Sequence, residues 1–251
     1  MPQPLSDSAA KVIVIGGGPA GLMAAEILAQ NSVCVNLFDA MPSMGRKFLV
    51  AGKGGLNITH SEPFEQFLTR YGKHQTQLEP FLRIFGPKEL RSWLHELGFE
   101  TFVGSSGKVF PKEMKAGPIL HTWIEHLRKA GVVFHPRHRW LGWEATGVLR
   151  FETPDGEKLI LADAVVLALG GGSWSNLGSD GTWIPLLEEQ KIPIAPLKPA
   201  NCGFDVEWSK HFREHFNGEP LKAVTLSFAN SAGGNFEQRG ECLITETGLE
   251  G

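Results

Sequence analysis

Three glycines and one acid carry the first chemical signal in this chain. Gly16-x-Gly18-x-x-Gly21 follows an apolar run at residues 11–15 and precedes a helical pattern opening near Leu22. A second apolar run, residues 33–38, ends at Asp39. Strand, glycine turn, helix, strand and acid in that order form a dinucleotide-binding fingerprint. Gly16 permits the tight turn, Gly18 lets backbone approach a pyrophosphate, and Gly21 lets the helix pack close to the sheet. The helix N-terminus offers unpaired N–H groups and partial positive charge to phosphates. Asp39 stands where an acid about 20 residues on accepts hydrogen bonds from adenosine ribose hydroxyls. A carboxylate there repels a 2′-phosphate, which disfavours NADP at this site.

Three further features favour FAD over NAD. Pro19-Ala20 inside the glycine loop is common in FAD folds, and Gly45-Arg46-Lys47 offers cations to a pyrophosphate soon after the second strand. Residues 132–135, 139–144 and 148–153 read as short strands of a meander, with a turn at 154–157. Residues 158–169 then read as one long returning strand that ends in Gly170-Gly171-Gly172, where backbone can pass close to a cofactor. No second fingerprint follows, because Ser175 stands where a third glycine is needed. A separate NAD(P)H domain is therefore not expected. Either NAD(P)H docks transiently on the flavin, or substrate reduces it and oxygen or another acceptor reoxidises it.

The elements that must position these residues are an α/β set. Leu90, Trp93, Leu94 and Leu97 form one apolar helical stripe after Pro87. Ile119, Leu120, Trp123, Ile124 and Leu127 form a second, after Pro118. Three prolines in residues 192–199 mark a domain crossing. Residues 203–208, 223–229 and 237–245 beyond it read as strands, with a hairpin turn at 231–234. The expected organisation is an FAD-binding domain at 1–194, lacking a C-terminal segment, and the start of an inserted β-rich substrate domain at 195–251. The chain stops without a terminal helix, so it is expected to be a fragment of a longer polypeptide.

Composition bounds the function classes. With 251 residues, 42% hydrophobic and 20% charged, the chain can bury a sizeable core without disulfides or metals. A net charge of -3 argues against a protein built to grip nucleic acid or an anionic membrane. Cys34, Cys202 and Cys242 are sparse and form no CxxC, which fits a reducing cytoplasm. The first ten residues have no signal-peptide pattern, and no apolar run reaches the length of a membrane span.

Other residues invite chemistry less specifically. Lys53 and Asn57 are placed to hydrogen-bond the flavin N1–O2 edge or N5, where positive charge stabilises reduced flavin. His60 reads either as a proton donor or as a surface histidine. Gly104-Ser105-Ser106-Gly107-Lys108 lacks P-loop spacing, which excludes nucleotide hydrolysis. Ser105, Ser106 and Lys108 line substrate space or form a solvent loop. Asp180 is expected to fix the turn at 178–181. His135-Pro136-Arg137-His138-Arg139, beside Trp140 and Trp143, suggests RNA, but a charged strand edge is the simpler reading. There is no Ser-His-Asp or HExxH arrangement, and no metal site is expected.

The segments VIVIGGGPAGLMAA, GRKFLVAGKGGLNITHSE, TFVGSSGKVFPKEMKA, ALGGGSW, LGSDG, PLKPANCGF and GECLITETGLEG together resemble the aminoacetone-oxidase-like (BaiN-like) bacterial FAD-dependent flavoproteins. The likeness is to a subgroup of undefined substrate. It carries Gly52-Lys53-Gly54-Gly55-Leu56-Asn57 where the wider family has a GGGRCN-type loop. The resemblance implies a Rossmann-like FAD-binding domain of glutathione-reductase-like type, interrupted by an insertion and completed by a later segment with a glycine-rich turn over the flavin. It also places backbone near Trp140 beside the adenine. The expected cofactor contacts are Ile15, Gly16, Gly18, Pro19, Ala20, Gly21, Asp39, Ala40, Arg46, Lys47, Lys53, Asn57, Trp140, Ala168, Gly170 and Gly171. The expected activity is FAD-dependent oxidation or reduction of a small molecule by hydride transfer through flavin N5, either amine oxidation or C=C reduction. The alternatives are a flavin-dependent RNA-modifying reductase and an NAD-dependent dehydrogenase.

Overall fold

The glycine turn lies at one end of a parallel sheet, and the order of that sheet follows from how each connection is built. The structure is a computed structural model and describes residues 10–51, 55–198, 203–230 and 233–250. Strand β1 (Lys11–Ile15) is buried from Val12 onward. It leads into α1 (Pro19–Gln30), which begins ahead of Leu22. Pro19 takes the first helical position, where its preset φ and missing N–H carry no penalty. β2 (Cys34–Asp39) pairs with β1 in parallel, setting Ile15 opposite Phe38. Arg46 and Lys47, read as loop cations, open a short helix, α2 (Arg46–Ala51).

After β3 (Thr59–His60) come α3 (Phe64–Thr69), α4 (Gln75–Ile84) and α5 (Pro87–Glu96). β4 (Thr101–Val103) and β5 (Lys108–Pro111) join β3 in a small antiparallel sheet. Helix α6 (Ala116–Lys129) starts just before Pro118 and returns the chain to the main sheet as β6 (Val133–Pro136).

Two expectations are corrected here. The strand read at 132–135 does not belong to the meander. It pairs with β2 in parallel, because a helical crossover brings a strand back in the same direction. The meander is β7 (Arg139–Trp143), β8 (Leu149–Thr153) and β9 (Gly156–Ile160). The single strand read at 158–169 is also two strands in two sheets. β9 ends at Ile160, and β10 (Ala164–Leu167) pairs with β1 in parallel. A corner separates them. Asp163 accepts the Lys11 N–H at 2.7 Å and donates its own N–H to the Lys11 carbonyl at 3.0 Å. The main sheet therefore runs β10-β1-β2-β6, and α7 (Trp183–Glu189) follows it.

Side-chain alternation sends β1 into two cores. Val14 packs with Leu22, Ala25, Leu37 and Trp123 on the helical face. Ile13 and Ile15 pack with Phe38, Trp140 and Phe151 on the meander face. Glu26, only 4% exposed, ties the helices together. Its carboxylate accepts the Trp123 indole N–H at 2.6 Å and the Trp93 indole N–H at 3.2 Å. Glu26→Ala is expected to leave both indoles unpaired and cost about 3 kcal/mol, given about 1–3 kcal/mol for each stranded donor. A lower urea midpoint with unchanged slope is the readout, and an unchanged midpoint contradicts it.

The chain divides into two compact units, 1–195 and 196–251. The second holds β11 (Phe204–Asp205), α8 (Lys210–Phe216), β12 (Pro220–Ala229), β13 (Asn235–Ile244) and β14 (Gly248–Glu250), in the antiparallel order β11-β14-β13-β12. The strand read at 203–208 is short, since Ser209 caps a helix by accepting the Phe212 N–H at 3.2 Å. Cys202, with Ser231 and Ala232 of the expected hairpin turn, lies outside the described residues. Among the described residues, no helix is long and apolar enough to cross a membrane.

Candidate dinucleotide site

The turn after β1 is shaped by backbone contacts as close as those within a sheet. Gly16 has φ +108°, and a Cβ there would lie 2.1 Å from the Ala168 carbonyl oxygen. A Cβ on Gly21 would lie 1.8 Å from the Gly16 carbonyl oxygen. Gly18 differs. Its φ of -77° and ψ of -178° suit any residue, and a Cβ there would meet no protein atom within 4 Å. As the N-cap of α1, glycine at 18 is mildly preferred, but no protein contact demands it, and a ligand lying against the turn does. No side chain caps the N-terminus of α1, and its first turn holds no acid. The N–H groups of Ala20 and Gly21 lie in that first turn and have no carbonyl of the helix to pair with.

Asp39 closes the other side of the turn. One carboxylate oxygen accepts the Gly17 N–H at 2.6 Å, and the other accepts the Met41 N–H at 2.7 Å. Each oxygen keeps a lone pair for a further donor. Burial raises its pKa above the usual aspartate value, against the opposing backbone donors of Met41 and Gly17 and the charges of Arg139 and Arg46.

Two cavities meet at this turn. One, of about 150 Å³, is lined by Gly16, Gly18, Pro19, Asp39, Arg46 and Lys47, and across from them by Ala168, Gly170, Gly171 and Ser179. The other, of about 70 Å³, is lined by Ile15, Gly16, Asp39, Ala40, Trp140 and Trp183, among others. Gly16, Asp39, Leu169 and Gly178 border both. Lys47 donates to the Ser173 hydroxyl at 2.7 Å and so links α2 to the loop after β10. Among the described residues, four buried side-chain polar atoms have no partner: Arg46 Nε, Ser179 Oγ, Trp140 Nε1 and Trp183 Nε1. Arg46 and Ser179 line the first cavity, and both tryptophans line the second. Buried donors of this kind are rare and costly without a partner. Their gathering at one turn fits a dinucleotide, which supplies anionic and ring acceptors together.

Twelve of the sixteen expected contacts border these cavities: Ile15, Gly16, Gly18, Pro19, Asp39, Ala40, Arg46, Lys47, Trp140, Ala168, Gly170 and Gly171. Gly21 lines neither, and serves the close packing of α1 on the turn. Ala20 sits exposed on α1. Lys53 lies outside the described residues. Asn57 borders a different, apolar cavity beside Trp93 and Trp123. Its amide nitrogen donates to the carbonyls of Thr59 at 2.8 Å and Val109 at 3.0 Å. Both N–H groups are therefore committed to the β3–β5 sheet, which corrects its expected role as a donor to N5 or the N1–O2 edge. Ser179 and Trp183 are not among the expected contacts. The turn read at 178–181 was the signal for Ser179, and Trp183 had only its place just after that turn.

Three other candidates resolve into structural roles. His60 bonds the Ser106 carbonyl at 3.0 Å through Nε2 and accepts the Glu62 N–H at 3.2 Å through Nδ1. It borders neither turn cavity. Asp180 fixes its loop as expected. Burial pushes its carboxyl up, but the Thr182 hydroxyl and N–H and the Arg139 guanidinium outweigh this and hold it below the usual range. Arg139 binds Asp180 at 3.0 Å and Thr182 at 3.2 Å. His135 stacks on Phe38 at 4.2 Å, and burial, then the neighbouring His138, Lys11 and Lys158, lower its pKa. The basic cluster thus works largely within the fold. Among the described residues, no group of three His, Cys, Asp or Glu is placed to hold a metal ion.

Comparison with known proteins follows this geometry. The chain is 28% identical over 195 residues to the 3-dehydro-bile acid delta(4,6)-reductase of Clostridium scindens, covering 76% of this chain and 46% of that protein. It is 24% identical over 247 residues to the ribosomal RNA dihydrouridine synthase of Haemophilus influenzae, covering 95% and 58%. The chain spans about half the length of the curated relatives it matches. Among solved structures, the 3-ketosteroid-delta4-(5alpha)-dehydrogenase from Rhodococcus jostii RHA1 shares its fold, with a TM-score of 0.50, 18% identity and coverage of 66% of this chain and 46% of that one. The Rossmann-domain model of the HI0933-like proteins matches residues 10–247, and the chain belongs to that family.

Proposed function

We propose that this chain is the FAD-binding region of an oxidoreductase that passes hydride through flavin N5 to a carbon–carbon double bond of a small molecule. The observation that carries the FAD reading is the convergence of four unpartnered buried donors on the glycine-turn cavities. The meander β7–β9, inserted between β6 and β10, supports FAD over a plain NAD dehydrogenase. Bound FAD supplies the hydride chemistry, and the protein orients it and tunes its surroundings. The first turn of α1, with Arg46 and Lys47 beside it, would hold the pyrophosphate. Asp39 would accept from the ribose hydroxyls, and the Trp140 end of the site would hold the adenine.

The direction of reaction rests on the relatives. One is named as a delta(4,6)-reductase and the other forms dihydrouridine, so both names describe saturation of a double bond. Reduction is favoured over amine oxidation on that ground. NAD(P)H docking transiently is the reductant we favour, with oxygen as an alternative acceptor, and the cytoplasm is the compartment. The Gly52–Asn57 segment supports the substrate-undefined subgroup. A second reading, reduction of a uridine ring in RNA, is favoured by the Haemophilus influenzae relative. The internal engagement of His135 and Arg139 weighs against it.

Reconstitution of the purified protein with FAD is the direct test. A bound flavin absorbance band is expected, NADH or NADPH should bleach it anaerobically, and a conjugated enone should restore it. Bleaching by simple amines instead would favour amine oxidation. No retained flavin would sink the proposal.

A further inference from the structure

Helix α5 carries two stripes of opposite character. Leu90, Trp93, Leu94 and Leu97 recur at i, i+3, i+4 and i+7; the last three pack into the apolar core, and Leu90 lines the apolar cavity beside it. Lys88, Arg91, Ser92 and His95 recur at the same spacing one face round, and all four line a separate cavity of about 300 Å³. A solvated helix face ordinarily mixes signs, with acids four residues from bases. The acids of α5, Glu89 and Glu96, do not line this cavity, and Glu89 instead accepts the Gly86 N–H at 3.1 Å. His60, Ser61 and Glu62 form the opposite wall.

Two permanent cations, Lys88 and Arg91, face a single carboxylate in this space. The one carboxylate, Glu62, is held by the Arg70 guanidinium through two bonds, and that pairing keeps its carboxyl below the usual range. Among the described residues no ion pair engages Lys88 or Arg91. Arg91 uses only Nε, to the Thr101 hydroxyl at 3.1 Å, which leaves its terminal nitrogens available. Among the described residues, no hydrogen bond engages the Ser61 or Ser92 hydroxyls. An ammonium, a guanidinium fork and two hydroxyls exceed what the two oxygens of a carboxylate accept. They match the three terminal oxygens of a phosphate monoester. This cavity shares no lining residue with the glycine-turn cavities.

The geometry points to a second, independent anion site here, one that takes the phosphate of a small phosphate monoester. The site does not depend on the FAD reading. Inorganic phosphate is the minimal probe, followed by calorimetry and ³¹P NMR on FAD-saturated protein so that the glycine turn is filled. One saturable phosphate is expected, with affinity that falls as salt rises. Lys88→Glu and Arg91→Gln should each weaken it about 10-fold or more, the scale of a lost charge-assisted hydrogen bond. Lys88 has no partner to lose, so Lys88→Glu tests the site without disturbing the fold. FAD binding should be unchanged in Lys88→Glu, and phosphate binding unchanged in Asp39→Asn, which separates failure here from failure at the glycine turn. Ribose 5-phosphate and 2′-AMP, used as competitors, distinguish a sugar phosphate from a 2′-phosphorylated nucleotide. Non-saturable phosphate binding, binding indifferent to Lys88→Glu, or displacement by neither ester would overturn the inference.

Discussion

Gly18→Val is expected to leave the fold standing and strip the protein of its cofactor. The backbone at 18 is extended, and its Cβ direction opens on space free of protein atoms within 4 Å. A branched side chain therefore meets nothing until a ligand arrives. FAD affinity should fall about 100-fold, because forcing methyl groups into filled space costs up to about 3 kcal/mol. The urea midpoint should fall only slightly, by no more than about 1 kcal/mol in stability, the cost of a poorer N-cap. Gly21→Ala should do the reverse. Its Cβ would lie 1.8 Å from the Gly16 carbonyl oxygen, so α1 must back away from β1. A loss of about 3 kcal/mol in stability is expected, in the range for overpacking against a rigid neighbour. Flavin fluorescence titration and urea unfolding on both variants settle the pair. If Gly18→Val unfolds, or binds FAD normally, the glycine at 18 is not there for a ligand.

Asp39→Asn should weaken FAD binding and erase its dependence on acid. The sign follows from burial. Burial holds the Asp39 pKa above the ordinary aspartate value in the free protein, despite the Met41 and Gly17 N–H donors. Ribose hydroxyls donate to the ionised carboxylate, so the ligand binds that form better. Affinity should be full above this raised pKa and should fall as pH drops through it, sooner than an unperturbed aspartate would allow. The asparagine variant cannot titrate, so its affinity should be flat across that window. It should also be weaker by about 10–100-fold, the scale of a lost hydrogen bond to a charged group. Its amide nitrogen donates and cannot accept, so only one of the Gly17 and Met41 N–H groups keeps an acceptor, the other is left stranded, and stability drops as well. A parent protein whose FAD affinity is level through the acid range would contradict the assignment of Asp39.

Much of the site was legible because its parts are local. Strand, turn, helix and acid occupy one short stretch of chain, and the glycine spacing reflects steric demands that Gly16 and Gly21 bear out. Other readings failed where a residue's role depends on a distant partner. Asn57 has the chemistry of a flavin ligand, but Val109, 52 residues away, takes one of its donors. The apolar run at 158–169 has the pattern of one strand, but the tie between Asp163 and Lys11 breaks it into two sheets.

The sequence by itself determined the βαβ unit and the acid at Asp39, since each follows from spacing, sterics and turn chemistry within a few residues, whereas the meander was legible as a motif but not in its strands. Only the tertiary structure decided which polar groups remain open to a ligand. Ser179 and Trp183 lie far along the chain from the glycines, and the turn pattern at 178–181 does not show which of its side chains lacks an acceptor. A buried donor becomes a binding group when the packing around it supplies no acceptor, and that packing is assembled from β1, β7 and the loop after β10 together.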